Sequence, residues 1–215
     1  MEITFELGYA LDTFYFLMCG ALVMWMAAGF TMLEAGLVRA KNTTEILTKN
    51  VALFSISCIM YMLVGYAIMY DGELLLSGIV SNGVAGVEEP ASYAPSADFF
   101  FQVVFVAAGM SIVSGAVAER MKLWSFLLFA IVFTSVIYPV QGYWKWGGGW
   151  LDAAGFNDFA GSGVVHMCGA SAALAGVLLL GARKGKYGAN GEITPIPGAN
   201  MPLATLGTFI LWMGW

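Results

Sequence analysis

Charged side chains are scarce in this chain, at 11% of its 215 residues. A soluble domain usually carries about 25% charged residues, because polar groups have to cover its surface. The composition therefore excludes an ordinary water-soluble domain. It suits a protein that folds in the lipid bilayer, where the solvent around the chain is apolar.

Histidine and cysteine are also rare, with one histidine and three cysteines in the whole chain. Cys19, Cys58 and Cys168 fall inside long apolar runs, where cysteine is typically a small buried residue and not half of a disulfide. A metal site needs several ligands at defined spacing, and the sequence has no such cluster. The basic residues form no stripe of the kind that binds nucleic acid. We therefore predict no metal, no cofactor and no nucleic-acid partner.

Six long, almost uncharged runs make up most of the sequence. Each is close to or above the roughly 20 residues that cross about 30 Å of hydrocarbon as a helix. Barrel strands are about 10 residues long and alternate apolar with polar residues, which these runs do not do. We therefore predict an all-α, polytopic membrane protein with one transmembrane domain over residues 1–215. The predicted helices are residues 13–37, 46–70, 99–118, 123–144, 160–182 and 200–215.

The basic residues predict an orientation in the membrane. Eight of the nine fall between the first and second, third and fourth, or fifth and sixth uncharged runs, and Lys145 lies on the opposite side. By the positive-inside rule, the face with eight is cytoplasmic and the N-terminus is outside, in a cell membrane (plasma or inner). The acids of the predicted outer face are either solvated loop charges or a vestibule that concentrates cations. They are Glu2, Glu6, Asp12, Asp71, Glu73, Glu88, Glu89, Asp98, Asp152 and Asp158.

Small residues mark the predicted packing faces. In the fifth run, Gly169 and Ala173 are four residues apart, as are Ala172 and Gly176, a spacing that lets membrane helices approach closely. The third run has a similar excess of Gly, Ala and Ser. We predict that the third and fifth helices are inner helices and that the fourth, rich in large apolar residues, faces lipid.

His166 is the only histidine and lies early in the fifth predicted helix. An ionisable side chain inside a membrane helix indicates a functional site, and the alternative is a buried histidine bonded to a neighbouring helix. Ser162, four residues earlier, would pair with it as nucleophile and base in an intramembrane hydrolase. Such enzymes take the two groups from different helices, so we expect no enzymatic activity and no catalytic residue.

Three further residues are candidates for a cation site. Asp158 precedes the fifth helix and suits a helix N-cap, a position that is also compatible with stabilising a nearby cation. Phe105 and Trp146 lie near the predicted outer ends of the third and fourth helices. The face of a tryptophan attracts ammonium-type cations within about 6 Å, although a single aromatic residue in such a position is more often a lipid anchor or a core residue.

Four motifs resemble those of a known family. Glu34–Asn42 reads EAGLVRAKN, Gly115–Arg120 reads GAVAER, Trp146–Gly149 reads WGGG and Asp158–His166 reads DFAGSGVVH. In this order and spacing they resemble the ammonium transporter family, which includes methylammonium permeases and Rhesus proteins. The resemblance implies eleven helices in an inverted repeat, a homotrimer with one pore per subunit, and a PII-type regulatory protein at the cytoplasmic face. This chain would hold the first repeat and the start of the second.

The resemblance also implies roles for individual residues. Phe105 matches an outer gate, Trp146 the aromatic residue of an outer cation site, Asp158 its supporting carboxylate, and His166 the first of two pore histidines. Ammonium would be recruited outside, lose its proton, and pass through an apolar pore. The alternative is an ammonium sensor that keeps the binding site, has little or no flux and signals through another domain.

The sequence ends at Trp215, inside the sixth predicted helix. We expect the second pore histidine, the second gate phenylalanine and the outer-site serine of the family to lie beyond this residue, in a longer protein. Ser162 stands where glycine is commoner in the family, directly beside the candidate pore histidine.

Overall fold

The computed structural model describes residues 4–70, 72, 74–76 and 92–215. Over these residues the chain is helical, apart from connecting segments and one antiparallel β-bridge between Tyr187 and Ile193. Five helices are long and apolar enough to cross a membrane. The prediction of an all-α, polytopic membrane protein is therefore confirmed. The acids of the predicted outer face that lie outside the described residues are Glu2, Asp71, Glu73, Glu88 and Glu89.

Six main helices follow one another in the described part of the chain. Their bounds are α1 Phe5–Leu37, α2 Ala40–Tyr70, α3 Pro95–Val117, α4 Leu123–Ala153, α5 Ser162–Leu180 and α6 Met201–Gly214. Turns of π-helix occur at Tyr61–Gly65 in α2, at Phe133–Ile137 in α4 and at Ser162–Met167, where α5 begins. Such turns frequently occur at functional sites. Near its end, α4 is broken by a turn at residues 146–149.

The sixth helix, Met201–Gly214, lies within the predicted range 200–215, at the end of the given sequence. It begins after Asn200, whose side-chain oxygen accepts a hydrogen bond from the Leu203 N–H at 3.0 Å. Pro202 lies in its first turn, where a missing N–H costs no hydrogen bond. The described residues therefore form five helices of spanning length and the start of a sixth apolar helix, which runs to the end of the given sequence.

Glycines allow α6 to lie directly against α1. A Cβ atom added at Gly29 would be 2.5 Å from the Leu211 backbone nitrogen, and one at Gly36 would be 2.5 Å from that of Ala204. Gly207 touches the α1 backbone in the same way, from the α6 side. Close backbone approach replaces the interlocking of large side chains, as is common between helices in a membrane.

The inner position predicted for the third helix agrees with the burial of α3. Most of its residues are buried, including Val106, Ala107 and Met110 at 0–1% exposure. Helix α5 is only half-covered by the described residues: Gly169 packs against α3, whereas Leu178 on its other face is 74% exposed. The prediction that the fourth helix faces lipid agrees with the start of α4, where Trp124 is 80% exposed.

A network around Glu119 joins three connections at one end of the bundle. The carboxylate accepts hydrogen bonds from the backbone N–H and the guanidinium of Arg39, both at 3.0 Å, and from the Arg183 guanidinium at 3.1 Å. The side chain of Asn42 donates a further bond to it. Arg39, Glu119 and Arg183 follow α1, α3 and α5, so the connections predicted to be cytoplasmic meet on one face.

A buried ion pair lies close to this network. Lys49 of α2 is 3.1 Å from the carboxylate of Glu34 of α1, and both side chains are almost fully buried. The hydroxyl of Ser114 in α3 donates to the same carboxylate at 2.8 Å. Paired in this way, the two charges are tolerated inside the bundle, and their contacts connect α1, α2 and α3.

Candidate functional site

A cavity of about 650 Å³ opens at the other end of the bundle, where α2 ends and α3 begins. We call it the vestibule. Its lining is mostly aromatic, with a few polar groups. The lining residues are Phe16, Tyr66, Tyr70, Ser92, Tyr93, Pro95, Asp98, Phe101, Gln102, Phe105, Trp146 and Phe159.

Phe105 and Trp146, the two aromatic residues singled out from the sequence, meet in this lining. Their ring centroids are 6.1 Å apart with an interplanar angle of 69°, an edge-to-face arrangement. Phe101, one turn earlier in α3, packs edge-on against Phe105 at 4.9 Å. Aromatic faces carry partial negative charge, so this wall of the vestibule is suited to a cation.

The indole of Trp146 is held in place by a hydrogen bond. Its Nε1–H donates to the backbone carbonyl of Asp158 at 2.7 Å. The backbone N–H of Trp146 donates to the Gly142 carbonyl at 2.8 Å, just before α4 is interrupted. Trp146 is therefore fixed both by the end of a helix and by the segment that leads into α5.

The carboxylate of Asp158 caps the start of α5. Its Oδ1 accepts a hydrogen bond from the Gly161 N–H at 2.9 Å, and its Oδ2 accepts from Gly163 and Val164, both at 2.8 Å. The residue is only 6% exposed and does not belong to the vestibule lining. Of the two roles compatible with the sequence, the geometry favours the helix cap. Asp158 contributes to the vestibule through its backbone carbonyl, which accepts the hydrogen bond from the Trp146 indole.

The turn before His166 depends on Gly161, which has a φ of +84°. This left-handed conformation is easy only for glycine. A Cβ atom there would also lie 2.6 Å from a methyl group of Val165 and 3.1 Å from the Trp146 ring. The Gly161 carbonyl then accepts the N–H groups of both Val165 and His166, at 2.9 and 3.0 Å. These bonds build the π-turn that carries the histidine.

His166 lies apart from the vestibule, against the last residue of the chain. Its ring centroid is 5.0 Å from that of Trp215, with the planes at 50°. Because a π-turn replaces the expected α-helical turn, His166 and Ser162 do not have the α-helical relationship assumed from their spacing. Ser162 itself is exposed.

A second cavity, of about 320 Å³, lies between the vestibule and Trp215. We call it the inner cavity. Phe16, Phe101, Phe105 and Phe159 line both cavities. The rest of its lining is largely apolar: Tyr15, Cys19, Leu22, Val23, Met26, Ala160, Met213, Gly214 and Trp215. The structure thus arranges, in order, an aromatic vestibule, a set of phenylalanine rings, an apolar cavity, and Trp215 with His166 against it.

The vestibule contains polar residues that sequence reasoning missed as site residues. Asp98 was counted only among the outer acids, but it lies in the first turn of α3 and is 8% exposed. The hydroxyl of Tyr66 donates to its Oδ2 at 2.7 Å, and the amide of Gln102 donates to its Oδ1 at 3.3 Å. A signal was available, because residues 98 and 102 share a helical face and Pro95 marks the helix start.

Comparison with known proteins decides the family. Residues 14–215 match the family model described as the Ammonium Transporter Family. The chain belongs to the ammonium transporter family. It is 42% identical over 214 residues to the putative ammonium transporter sll1017 of Synechocystis, and 44% identical over 215 residues to the ammonium transporter Amt2 of Archaeoglobus fulgidus. These matches cover 98% and 95% of the chain but 48% and 46% of the relatives. The chain therefore spans about half the length of these curated ammonium transporters.

Solved structures agree with the family fold. A structure named "Sensor Amt Protein" is 33% identical, with a TM-score of 0.86 over 98% of this chain and 54% of its own. A Mep2 mutant from Candida albicans is 25% identical, with a TM-score of 0.76 over 95% of this chain and 47% of its own. The bundle described above is thus one half of the ammonium transporter fold.

Proposed function

We propose that the complete protein encoded by this gene carries ammonium or ammonia across a cell membrane. In this proposal, the chain supplies the outer recruitment site and one side of the path. The supporting observation is the Phe105–Trp146 pair, which lies at the vestibule of a chain whose curated relatives are named ammonium transporters.

The order of the cavities supports a mechanism. Ammonium binds in the vestibule against the faces of Trp146 and Phe105, which attract a small cation. The phenylalanine rings and the inner cavity oppose a bare charge, because an ion without hydrogen-bond partners is costly in an apolar space. The ammonium therefore gives up its proton, either to water in the vestibule or through a relay to the imidazole of His166, and ammonia proceeds toward Trp215. His166 then relays the proton or hydrogen-bonds the neutral molecule, since neutral imidazole has both a donor and an acceptor.

The proposal includes an orientation and an assembly. The Glu119 network brings Arg39 and Arg183 to one face, which supports a cytoplasmic position for that face and an outside N-terminus. Exposed apolar residues such as Leu178 and Trp124 suit contact with lipid or with more protein. We propose a homotrimer, as the family resemblance implies, with a PII-type regulatory protein at the cytoplasmic face.

A sensor with little or no flux is the second candidate. It is favoured by one observation, the 0.86 TM-score to a structure whose name describes a sensor protein. A sensor would retain the aromatic vestibule, because it has to bind ammonium, but would not need an open path past His166.

Uptake of methylammonium into proteoliposomes containing the complete protein tests transport. We expect Trp146→Leu to raise the half-saturation concentration about tenfold, since a desolvated cation–π contact is worth about 1–2 kcal/mol. His166→Ala should mainly lower the maximal rate. Trp124→Leu, at a position that is 80% exposed outside the vestibule, is the matched control and should behave as wild type.

The outcomes separate the two candidates. Wild-type uptake kinetics in both Trp146→Leu and His166→Ala would contradict the roles proposed for these residues. Stabilisation of the wild-type protein by ammonium in a thermal-unfolding assay, without any uptake, would favour the sensor over the transporter.

A further inference from the structure

Among the described residues, Asp98 is the carboxylate that lines the vestibule. It lines the cavity together with Tyr66 and Gln102, whereas Asp158 does not line it. Its side chain projects from the first turn of α3 beside residues of α2, at the end of the bundle where the cavity opens. Among the described residues, the negative charge that lines the vestibule is therefore that of Asp98, on α3.

The two aspartates differ in how much hydrogen-bonding capacity they have left. An ionised carboxylate has about four lone-pair sites. The Asp158 carboxylate accepts three backbone N–H groups at 2.8–2.9 Å, and these fix it to α5. Asp98 accepts one strong bond, from the Tyr66 hydroxyl at 2.7 Å, and one long bond, from Gln102 at 3.3 Å. Asp98 can therefore accept a further donor, and Asp158 has little capacity to do so.

Gln102 provides an independent observation, because its side-chain oxygen lacks a hydrogen-bond donor among the described residues. The residue is 9% exposed, and its Oε1 is buried without a hydrogen-bond partner among the described residues. A buried acceptor without a donor is costly, about 1–3 kcal/mol, and is therefore uncommon. A ligand rich in N–H groups supplies such donors.

We propose that Asp98, Tyr66 and Gln102 form an anionic subsite of the vestibule that binds a small ammonium-type cation with at least two N–H bonds. This inference rests on the proposed function and assigns the charge of the outer site. Asp98 supplies the opposing charge and an acceptor. Tyr66 orients that carboxylate and contributes aromatic surface, while the Phe101 and Phe105 rings close the cavity toward the inner side.

We expect the negative charge of Asp98 to affect cation binding more than the charge of an exposed acid would. The attraction between unit charges grows as their surroundings exclude water, and Asp98 is 92% buried in a mainly aromatic lining. We therefore expect removal of this charge to weaken cation binding about tenfold.

Asp98→Asn in the complete protein is the primary test. Asparagine keeps an oxygen for the Tyr66 hydroxyl and can turn its NH₂ toward Gln102 Oε1, so the fold is retained while the charge is lost. Binding is measured as the ammonium concentration that half-maximally raises the Tm of purified protein, and transport as the half-saturation concentration for methylammonium. Both should increase about tenfold. Asp12→Asn, which removes an exposed acid outside the vestibule, should change neither.

A size-matched pair covers the case in which Asp98→Asn does not fold. Asp98→Glu and Asp98→Gln displace the head group equally and differ in charge. The glutamate variant should bind ammonium several-fold more tightly than the glutamine variant. Equal binding in the two, or an unchanged half-saturation concentration in folded Asp98→Asn, overturns the inference.

The failure of this inference can be distinguished from that of the proposed function. If wild-type protein takes up methylammonium and Asp98→Asn does so with the same half-saturation concentration, the subsite is wrong and the transport proposal stands. If wild-type protein binds ammonium without flux, transport is wrong and the binding comparison still decides on Asp98. If wild-type protein neither binds nor transports ammonium, both are overturned.

Discussion

At the residue scale, two aspartates, Asp158 and Asp98, have different roles at the vestibule. Asp158 uses its carboxylate to cap α5 and its backbone carbonyl to hold the indole of Trp146 at 2.7 Å. Asp98 has acceptor capacity left and lines the cavity. One aspartate therefore fixes the aromatic wall, and the other places charge beside it.

Asp158→Asn should destabilise the protein, because at least one of three backbone N–H groups would face an NH₂ group. Leaving a buried donor unsatisfied costs about 1–3 kcal/mol, so we expect a clear fall in the Tm of detergent-purified protein. Asp152→Asn is the control. Its partner is Lys145, its side chain is 46% exposed, and exposed pairs contribute little. An unchanged Tm for Asp158→Asn would contradict the capping role.

At the element scale, α1 and α6 pack through glycine, and α3 is buried among its neighbours. Gly29, Gly36 and Gly207 let the α1 and α6 backbones touch, so neither helix can rotate or slide without a clash. The register between these helices fixes Trp215, which contacts His166. The histidine's surroundings are thus set by helix packing far from its own turn.

Gly29→Ala should disturb this packing, because the new Cβ atom would lie 2.5 Å from a backbone nitrogen of α6, which cannot easily move. Overpacking of this kind typically costs about 1–3 kcal/mol. Gly115→Ala is the same substitution in α3, where the nearest atom to the new Cβ would be 3.8 Å away. It should keep or slightly raise the Tm. Equal Tm values for the two variants would argue against close α1–α6 contact.

At the scale of the whole molecule, the two ends of the bundle carry different sets of side chains. One end holds the aromatic vestibule with Asp98, and the other holds Glu119 with Arg39 and Arg183. Glu119 has a φ of +61°, a conformation unusual for a residue with a side chain, and its hydrogen bonds hold it there. The carboxylate of Glu119 thus joins, through hydrogen bonds, the segments that follow α1, α3 and α5.

The Glu119 network predicts a dependence of stability on pH. Burial alone would raise the pKa of Glu119, but hydrogen bonds from Arg39, Asn42 and Arg183 outweigh it and lower the pKa from 4.5 to about 2. Because the folded protein favours the charged form, this stabilisation is complete above about pH 4.5 and is lost as the pH falls toward 2. Glu119→Gln should lower the Tm at pH 7, and its difference from wild type should shrink below about pH 4.5. A difference that stays constant down to pH 3 would contradict this assignment.

The sequence by itself determined the membrane class, the approximate helices and the family. Run length and lack of charge depend only on neighbouring residues, and the motifs from Glu34 to His166 are local patterns. It also singled out Phe105 and Trp146, which meet in the structure. Only the tertiary structure decided which of the described acids lines the vestibule and that glycines join α6 to α1. The physical reason is that a carboxylate's free capacity and a helix's neighbours depend on contacts between residues far apart in the chain, such as Tyr66 with Asp98 and Gly29 with Leu211.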